Sequence, residues 1–280
     1  YLQLKIFLLL LQHSIKIMNA VHYFRTIKEE LFMNKMLGYD DILKLKRWNT
    51  PTVYNGWEKV THLERTQGRF NREPITDFMP QMGIMAGYAV TVEVEPSNPE
   101  HQRANPNAQR DYMRYLASIP GPKIVVVKDL DHPHIGSFWG EINANLHKTL
   151  GCVGTITDGA IRDWDEMTNA GIKALARQTC VGHAYSTPVR WNCEVEVFGC
   201  KIKPGDFIHA DKHGFLAIDP EDTEHLLEAV KFMDDNECNC LLSYSRNAAG
   251  IDKQTFVEEY AKHTAEFNRR AAEFFEQLLK

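Results

Sequence analysis

The most regular pattern in the chain is a set of short apolar runs separated by glycine, proline and polar clusters. Ile124 to Val127 is an unbroken run of β-branched residues, which is typical of a strand buried on both faces. Met85 to Glu95 ends in alternating apolar and polar residues and predicts a half-buried strand. Phe207 to Asp211 and Gly214 to Ile218 predict two strands of a hairpin. With helical segments between them, these strands indicate an α/β fold with a partly parallel sheet.

Helical periodicity marks the segments between and after these strands. Glu141 to Leu150 has apolar residues four apart, beginning at Ile142, and predicts a helix with that stripe in the core. From Asp252 onward the sequence predicts a long amphipathic helix, which packs either in the core or at an oligomer interface. Ser97 to Asn107 is rich in proline and asparagine and predicts a polar loop instead.

The polar residues that follow one apolar run form a candidate site. Cys152 to Thr157 predicts a buried strand, and Asp158-Gly159 predicts a turn directly after it. Arg162, Asp163 and Glu166 then fall in the predicted first turn of a helix, where residues three and four apart share a face. A guanidinium and carboxylates at the carboxyl end of a strand can bind an anionic substrate and a divalent metal together.

Two further polar segments complete the candidates. The helix that starts at Gly140 has unpaired amides at Gly140, Glu141, Ile142 and Asn143, which form a carboxylate-binding site at the positive end of the helix. Asp129 to His134 offers two carboxylates and two imidazoles. That segment is either a metal site or, as is usual for such polar loops, an ordinary solvated turn.

Composition narrows the function classes. The 280 residues allow one large or two small domains, and a net charge of −5 with scattered cations disfavours binding to nucleic acid. The six cysteines include no CxxC pair, which favours reduced thiols and a cytoplasmic location. The apolar run Ile6 to Leu11 is far shorter than the roughly 20 residues that span a bilayer, so we expect no membrane segment there.

Several ordered motifs carry a resemblance to a known family. They are Trp139-Gly140-Glu141, Asp158-Gly159-Ala160-Ile161-Arg162-Asp163, Lys203-Pro204-Gly205-Asp206, His209-Ala210-Asp211-Lys212-His213-Gly214 and, near the N-terminus, Thr50-Pro51-Thr52-Val53. Together they resemble the RraA-like family, which contains 4-hydroxy-4-methyl-2-oxoglutarate (HMG) aldolases and regulators of ribonuclease activity. Each motif is weak alone, but their shared order makes chance matching improbable.

The resemblance implies a compact α/β domain of the swivelling β/β/α type that assembles as a trimer or a dimer of trimers. We expect this RraA-like catalytic domain at residues 39–236, with an N-terminal extension at 1–38 and a C-terminal helical extension at 237–280. The sites of such an assembly would lie near subunit interfaces.

The resemblance also implies roles for the candidate residues. Arg162 would bind the α-keto acid substrate, and Asp163 would ligate a divalent metal, usually Mg²⁺ or Mn²⁺. The backbone from Gly140 to Asn143 would hold the substrate, and Glu166 matches an acidic position that accompanies Arg-Asp in the aldolases. Glu141 and Glu166 are candidates to hold waters of the metal and to carry a proton.

The predicted function is therefore a metal-dependent retro-aldol cleavage of an HMG-type 4-hydroxy-2-oxo acid with release of pyruvate. Oxaloacetate decarboxylation passes through the same pyruvate enolate and is expected as a side activity. No lysine at the strand end suits a Schiff base, which favours the metal route. Three alternatives stay open: a non-catalytic protein-binding regulator, a lyase acting on a sugar-acid derivative, and an Arg162 ion pair that only pins a turn.

Overall fold

The computed structural model describes residues 36–280, so most of the predicted N-terminal extension lies outside the described residues. Within that range the strands are β1 Thr76–Asp77, β2 Met85–Val94, β3 Lys123–Asp129, β4 Ser137–Trp139, β5 Cys152–Ile161, β6 Lys173–Thr179, β7 Pro188–Trp191, β8 Val195–Val197, β9 Cys200–Ile202, β10 Phe207–Asp211 and β11 Gly214–Ile218. The α-helices are α1 Tyr39–Leu45, α2 Thr50–Trp57, α3 Pro99–Ala104, α4 Ala108–Ser118, α5 Glu141–Thr149, α6 Trp164–Ala170, α7 Leu226–Glu237, α8 Ser243–Arg246 and α9 Lys253–Leu278.

Nine of the strands described in residues 36–280 form one mixed sheet. Its order is β1-β6-β5-β3-β2-β10-β11, with β4 beside β5 and β7 beside β2, while β8 and β9 pair separately. The four central strands β2, β3, β5 and β6 run parallel, and β10 joins β2 antiparallel. The carboxyl ends of β3, β5 and β6 therefore meet at one edge, where open α/β sheets commonly bind ligands.

Apolar side chains cover both faces of the central strands. Val92 and Val127 pack on one face with Tyr112 of α4, whereas Val126 packs on the other with Phe198. All ten residues of β2 are consequently buried, and the prediction of a half-buried strand was wrong because neither face of the sheet is left to solvent. The predicted hairpin is confirmed as β10 and β11, and the mixed α/β fold with a long C-terminal helix is confirmed as well.

Two other local predictions were wrong. The polar loop contains helix α3, because Asn98 caps it by accepting a hydrogen bond from the Glu100 amide (3.1 Å) and Pro99 takes its first position. In α5 the predicted stripe is buried only in part, since Leu150 packs against the core whereas Ile142 is 76% exposed. Ala144 and His147 are buried there instead, and the His147 ring is hydrogen-bonded to the Asn143 carbonyl at 2.6 Å.

The C-terminal helix α9 packs on α7 through aromatic side chains. Phe274 stacks on Phe232 with ring centroids 3.9 Å apart, and Phe275 is buried beside them. The Asn236 side-chain amide donates to the Phe267 carbonyl at 2.9 Å, which fixes the two helices along their length. No helix within residues 36–280 is both long enough and apolar enough to cross a membrane.

Candidate active site

The site is built where β5 ends. The strand continues through Asp158 and Gly159 to Ile161, and Arg162 and Asp163 follow directly. Asp163 has a left-handed backbone (φ 53°, ψ 44°), a conformation that aspartate tolerates better than most residues, and it is the N-cap of α6. This turn places the Arg162 and Asp163 side chains beside each other at the sheet edge, with Arg162 Nε 3.6 Å from Asp163 Oδ2.

Strand β4 brings the start of α5 to the same point. It runs parallel to the end of β5, with Trp139 opposite Ile161, so Gly140 arrives next to Arg162. The Glu141 amide donates a hydrogen bond to Asp163 Oδ2 at 3.2 Å. A β-carbon on Gly140 would lie 2.8 Å from the same oxygen and 3.2 Å from Arg162 Nε. Glycine at this position is therefore a condition for the close approach of the three groups.

The guanidinium of Arg162 is held from its far side by a loop. Its Nη1 donates to the Val181 carbonyl at 3.2 Å. That loop is itself anchored, because the Ser137 amide donates to the Gly182 carbonyl (3.0 Å) and the Cys180 amide donates to Ile161 (2.9 Å). Just over a third of each side chain is exposed at Arg162 and Asp163, so both can meet a ligand from solvent.

The profile of the RraA-like family, described as Aldolase/RraA, matches residues 50–217. The match covers more than half of the chain. The chain belongs to the RraA-like family. The family predicted from the ordered motifs is thus confirmed, and the family contains both aldolases and ribonuclease regulators.

Individual relatives agree with this assignment. A protein of Halalkalibacterium halodurans, provisionally named 4-hydroxy-4-methyl-2-oxoglutarate aldolase, is 27% identical over 150 residues, which are 51% of this chain and 71% of that protein. The structure of Streptomyces coelicolor RraAS2, described as an unusual member of the RraA family of RNase ES inhibitors, matches with a TM-score of 0.58 at 19% identity and covers 75% of this chain and 98% of its own. A structure described under novel cellulases from gut-associated microbes gives a TM-score of 0.62 at 18% identity, over 73% and 88% of the two chains. At such identities the structural likeness shows the fold, and it confirms the RraA-like α/β architecture.

Of the predicted RraA-like site residues, the structure brings together Arg162, Asp163, Gly140 and the backbone of Glu141. Glu166 is the third residue of α6 and is exposed, as is the Glu141 side chain. Within the described residues, no hydrogen bond or ion pair links Glu166 or the Glu141 carboxylate to Arg162 or Asp163. The two glutamates thus lie on the helices that begin next to Arg162 and Asp163, with exposed side chains.

Three more predicted features can be located. Asn143 is half-buried. Its side-chain amide donates a hydrogen bond to the Phe138 carbonyl at 2.5 Å, which holds the start of α5 against β4. The prediction that Arg162 and Asp163 lie in the first helical turn was wrong, because α6 begins after them at Trp164. Both residues consequently occupy the connection between strand and helix, whereas Ile142 is an exposed part of the neighbouring helix start.

The predicted turn at Asp158-Gly159 was also wrong. Asp158 is buried within β5, where its carboxylate forms an ion pair with Lys128 Nζ (2.6 Å) and accepts a hydrogen bond from the Asp129 amide (2.9 Å). Between Thr157 and Ala160 the register of β5 against β6 shifts, which absorbs the pair without ending the strand. Asp158 therefore pairs with Lys128, and the carboxylate next to Arg162 is that of Asp163.

The segment from Asp129 to His134 is solvated only in part, since His132 and Pro133 form an exposed bend while both aspartates point inward. Asp129 and Asp131 are buried, and Asp131 accepts hydrogen bonds from the Ser97 amide (2.8 Å) and hydroxyl (2.6 Å). Asp129 Oδ2 lies 2.9 Å from His134 Nδ1, and burial raises the pKa of Asp129. The solvated-turn prediction was wrong for the two aspartates, because their carboxylates accept hydrogen bonds from the backbone of this loop and from Ser97.

One functional contact has no side-chain signal in the sequence. The group that orients Arg162 is the backbone carbonyl of Val181, whose side chain is 93% exposed. Every residue carries such a carbonyl, so only the course of the loop decides that this one accepts from Arg162.

The chain's own residues fit a hard divalent cation. Among residues 36–280 no three His, Cys, Asp or Glu side chains are arranged to hold a metal together. Mg²⁺, however, commonly binds through one or two carboxylates and keeps several of its waters. The partly exposed carboxylate of Asp163, beside amides and a guanidinium that suit an anionic ligand, matches that mode of binding for Mg²⁺ or Mn²⁺.

Proposed function

We propose that the protein is a divalent-metal-dependent lyase that cleaves an HMG-type 4-hydroxy-2-oxo acid and releases pyruvate. The observation that carries this proposal is the convergence of Arg162, Asp163 and the Glu141 amide within 3.6 Å at the end of β5. A cation, an anion-binding amide and a metal-binding carboxylate are what an α-keto acid substrate requires. Membership of the Aldolase/RraA family and the relative from Halalkalibacterium halodurans support the same reaction.

Breaking the C3–C4 bond leaves an electron pair that must be held as an enolate. A divalent cation bound by Asp163 would supply Lewis acidity to the keto acid end of the substrate. The Arg162 guanidinium, pre-oriented by the Val181 carbonyl, adds a fixed positive charge at the developing oxyanion. The amides at the start of α5 bind the substrate carboxylate, since they are donors at the positive end of a helix.

Proton transfer completes the reaction. The base must take the C4 hydroxyl proton, and an acid must return a proton to C3 of the pyruvate enolate. Glu141 and Glu166 are exposed at the site's border, where each can hold a water that carries this proton. Oxaloacetate yields the same enolate on losing CO₂, so we expect the same residues to decarboxylate it.

The test is an assay of pyruvate release from HMG and from oxaloacetate, with Mg²⁺ or Mn²⁺ and then with EDTA. We expect turnover that depends on the metal and falls by about 10²- to 10³-fold or more in Arg162→Ala and Asp163→Ala, the usual loss when one preorganised charge is removed. Asp165→Ala is the matched control, because it removes an exposed carboxylate from the same helical turn.

The same assay separates the alternatives. Folded, metal-supplemented wild type that releases no pyruvate from either compound would overturn the aldolase proposal in favour of a sugar-acid substrate or a protein-binding regulator.

We also propose that the chain acts as a homotrimer or hexamer, which light scattering after size exclusion measures. Its six cysteines are all unpaired, which supports a reducing, cytoplasmic setting.

A further inference from the structure

The Asp163 carboxylate is bonded to the group that the substrate would need. Its Oδ2 accepts the hydrogen bond of the Glu141 amide at 3.2 Å. Under the proposed function, on which this inference rests, that amide belongs to the substrate-carboxylate site and the same Asp163 carboxylate holds the cation. A second carboxylate at that amide would have to share its hydrogen with Asp163 and lie against a like charge, which weakens its binding.

The local backbone explains why Asp163 reaches across to α5. An aspartate at an N-cap ordinarily accepts from an amide of its own helix, yet the Asp163 side chain makes no such bond in α6. The N-cap of α5 is Gly140, which has no side chain to cap with. The left-handed conformation of Asp163 directs its carboxylate to that uncapped helix, where the positive end of α5 and nearby Arg162 both attract it.

We propose that Asp163 blocks the substrate-carboxylate site until a divalent cation draws its side chain away, so that cation and substrate bind in that order. Without the cation, an incoming carboxylate must displace an intramolecular carboxylate from the Glu141 amide and then lie beside it. With the cation, Asp163 faces the ion and the Glu141 amide is free to donate. The cation thus raises substrate affinity by freeing an amide as well as by its own charge.

The test uses pyruvate as the carboxylate probe and the full chain freed of metal by EDTA and dialysis. Calorimetry should show that Asp163→Ala binds pyruvate without metal about tenfold more tightly than wild type. This factor corresponds to the free energy that one helix-capping hydrogen bond contributes. Asp165→Ala removes a nearby negative charge while leaving the cap, so it should stay close to wild type. Asp163→Asn loses the charge but keeps an acceptor oxygen, so it should bind more weakly than Asp163→Ala.

A second measurement follows the hydrogen bond from the Glu141 amide to Asp163 directly. In ¹H–¹⁵N spectra, Mg²⁺ should shift the Glu141 amide of wild type by removing its acceptor and should leave that amide unshifted in Asp163→Ala. Equal metal-free affinity of Asp163→Ala and wild type, or an equal gain in Asp165→Ala, would overturn the binding order while metal-dependent pyruvate release still supported the lyase. Absence of pyruvate release would overturn the lyase, whatever the Glu141 amide shows.

Discussion

Gly140 lies where Asp163 and Arg162 meet the start of α5. Its backbone is extended (φ −177°), so alanine is allowed there by conformation. An added β-carbon would nevertheless stand 2.8 Å from Asp163 Oδ2 and 3.2 Å from Arg162 Nε, so it also displaces the guanidinium that binds substrate under the proposed function. We expect Gly140→Ala to lower kcat/KM for pyruvate release by at least about tenfold while the melting temperature changes little, because only side-chain ends have to move.

The control for that prediction is Gly182→Ala in the neighbouring loop. A β-carbon at Gly182 meets nothing within 4 Å, so this variant should keep wild-type kinetics. If Gly140→Ala also retained wild-type kcat/KM, the contact between Gly140 and the two charged side chains would have no part in catalysis.

At this scale the sequence predicted residue types better than contacts. Arg162, Asp163 and Gly140 could be chosen because charged groups after a strand and a glycine at a helix start have recognisable chemistry. The partner of Arg162 could not, since it is the Val181 carbonyl, and any backbone carbonyl has the same chemistry. The ion pair of Asp158 with Lys128 was equally hidden, because it depends on the register of β3 against β5.

Among the elements, buried runs and tight hairpins were the predictable parts. The run at Ile124 to Val127 became β3, and the two strands around a polar turn became β10 and β11. Helix α3 was missed because Asn98-Pro99 is as typical of a turn as of a helix start. The pairing of β4 with β5, which assembles the site, joins segments whose order in the sheet no local pattern specifies.

Strands β1 and β6 are joined by a buried ion pair far from the proposed chemistry. Lys173 Nζ lies 2.6 Å from Asp77 Oδ2, with 2% and 3% of the side chains exposed, and also donates to the Met79 carbonyl at 3.0 Å. Asp77→Asn would leave the ammonium without a counter-charge in the interior. We expect the free energy of unfolding to fall by about 3 kcal/mol, measured by urea denaturation.

Asp41→Asn is the comparison for that ion pair. Asp41 lies 2.7 Å from Lys44, but 39% and 50% of the two side chains are exposed. Water replaces such a pair at little cost, so the change should be below about 0.5 kcal/mol. Similar losses in Asp77→Asn and Asp41→Asn would show that burial does not determine the strength of these pairs.

We expect that weakening the contact of helix α9 with α7 leaves the candidate active site intact. Phe275 is 9% exposed and packs edge-on against Phe232 at 5.7 Å. Phe275→Ala should destabilise the α7–α9 contact by about 3 kcal/mol and speed proteolysis within α9, while pyruvate release is retained. Val257→Ala, on the exposed part of the same helix (59%), should alter neither property.

For the molecule as a whole, two buried histidines tie stability to pH. His147 is hydrogen-bonded to Asn143 and Tyr112, and His209 to Thr50, and burial lowers the pKa of each from 6.5 to about 4. Between these values the unfolded chain takes up a proton that the folded chain does not. The free energy of unfolding therefore falls as pH drops from about 6.5 toward 4, by about 2 kcal/mol per histidine between pH 7 and pH 5.

Buried acids act in the opposite direction, so the contribution of a histidine has to be isolated by a variant. Burial raises the pKa of Asp206 and Asp222, which makes the folded chain bind protons more readily near the acid range. Both acids are present in wild type and in His209→Gln, so their effect cancels when the two proteins are compared.

His209→Gln should be less stable than wild type at pH 7, because it lacks the buried imidazole. On going to pH 5, however, its free energy of unfolding should fall by about 2 kcal/mol less than that of wild type. Urea denaturation at both pH values measures this difference, and parallel losses in the two proteins would mean that His209 takes up its proton without unfolding.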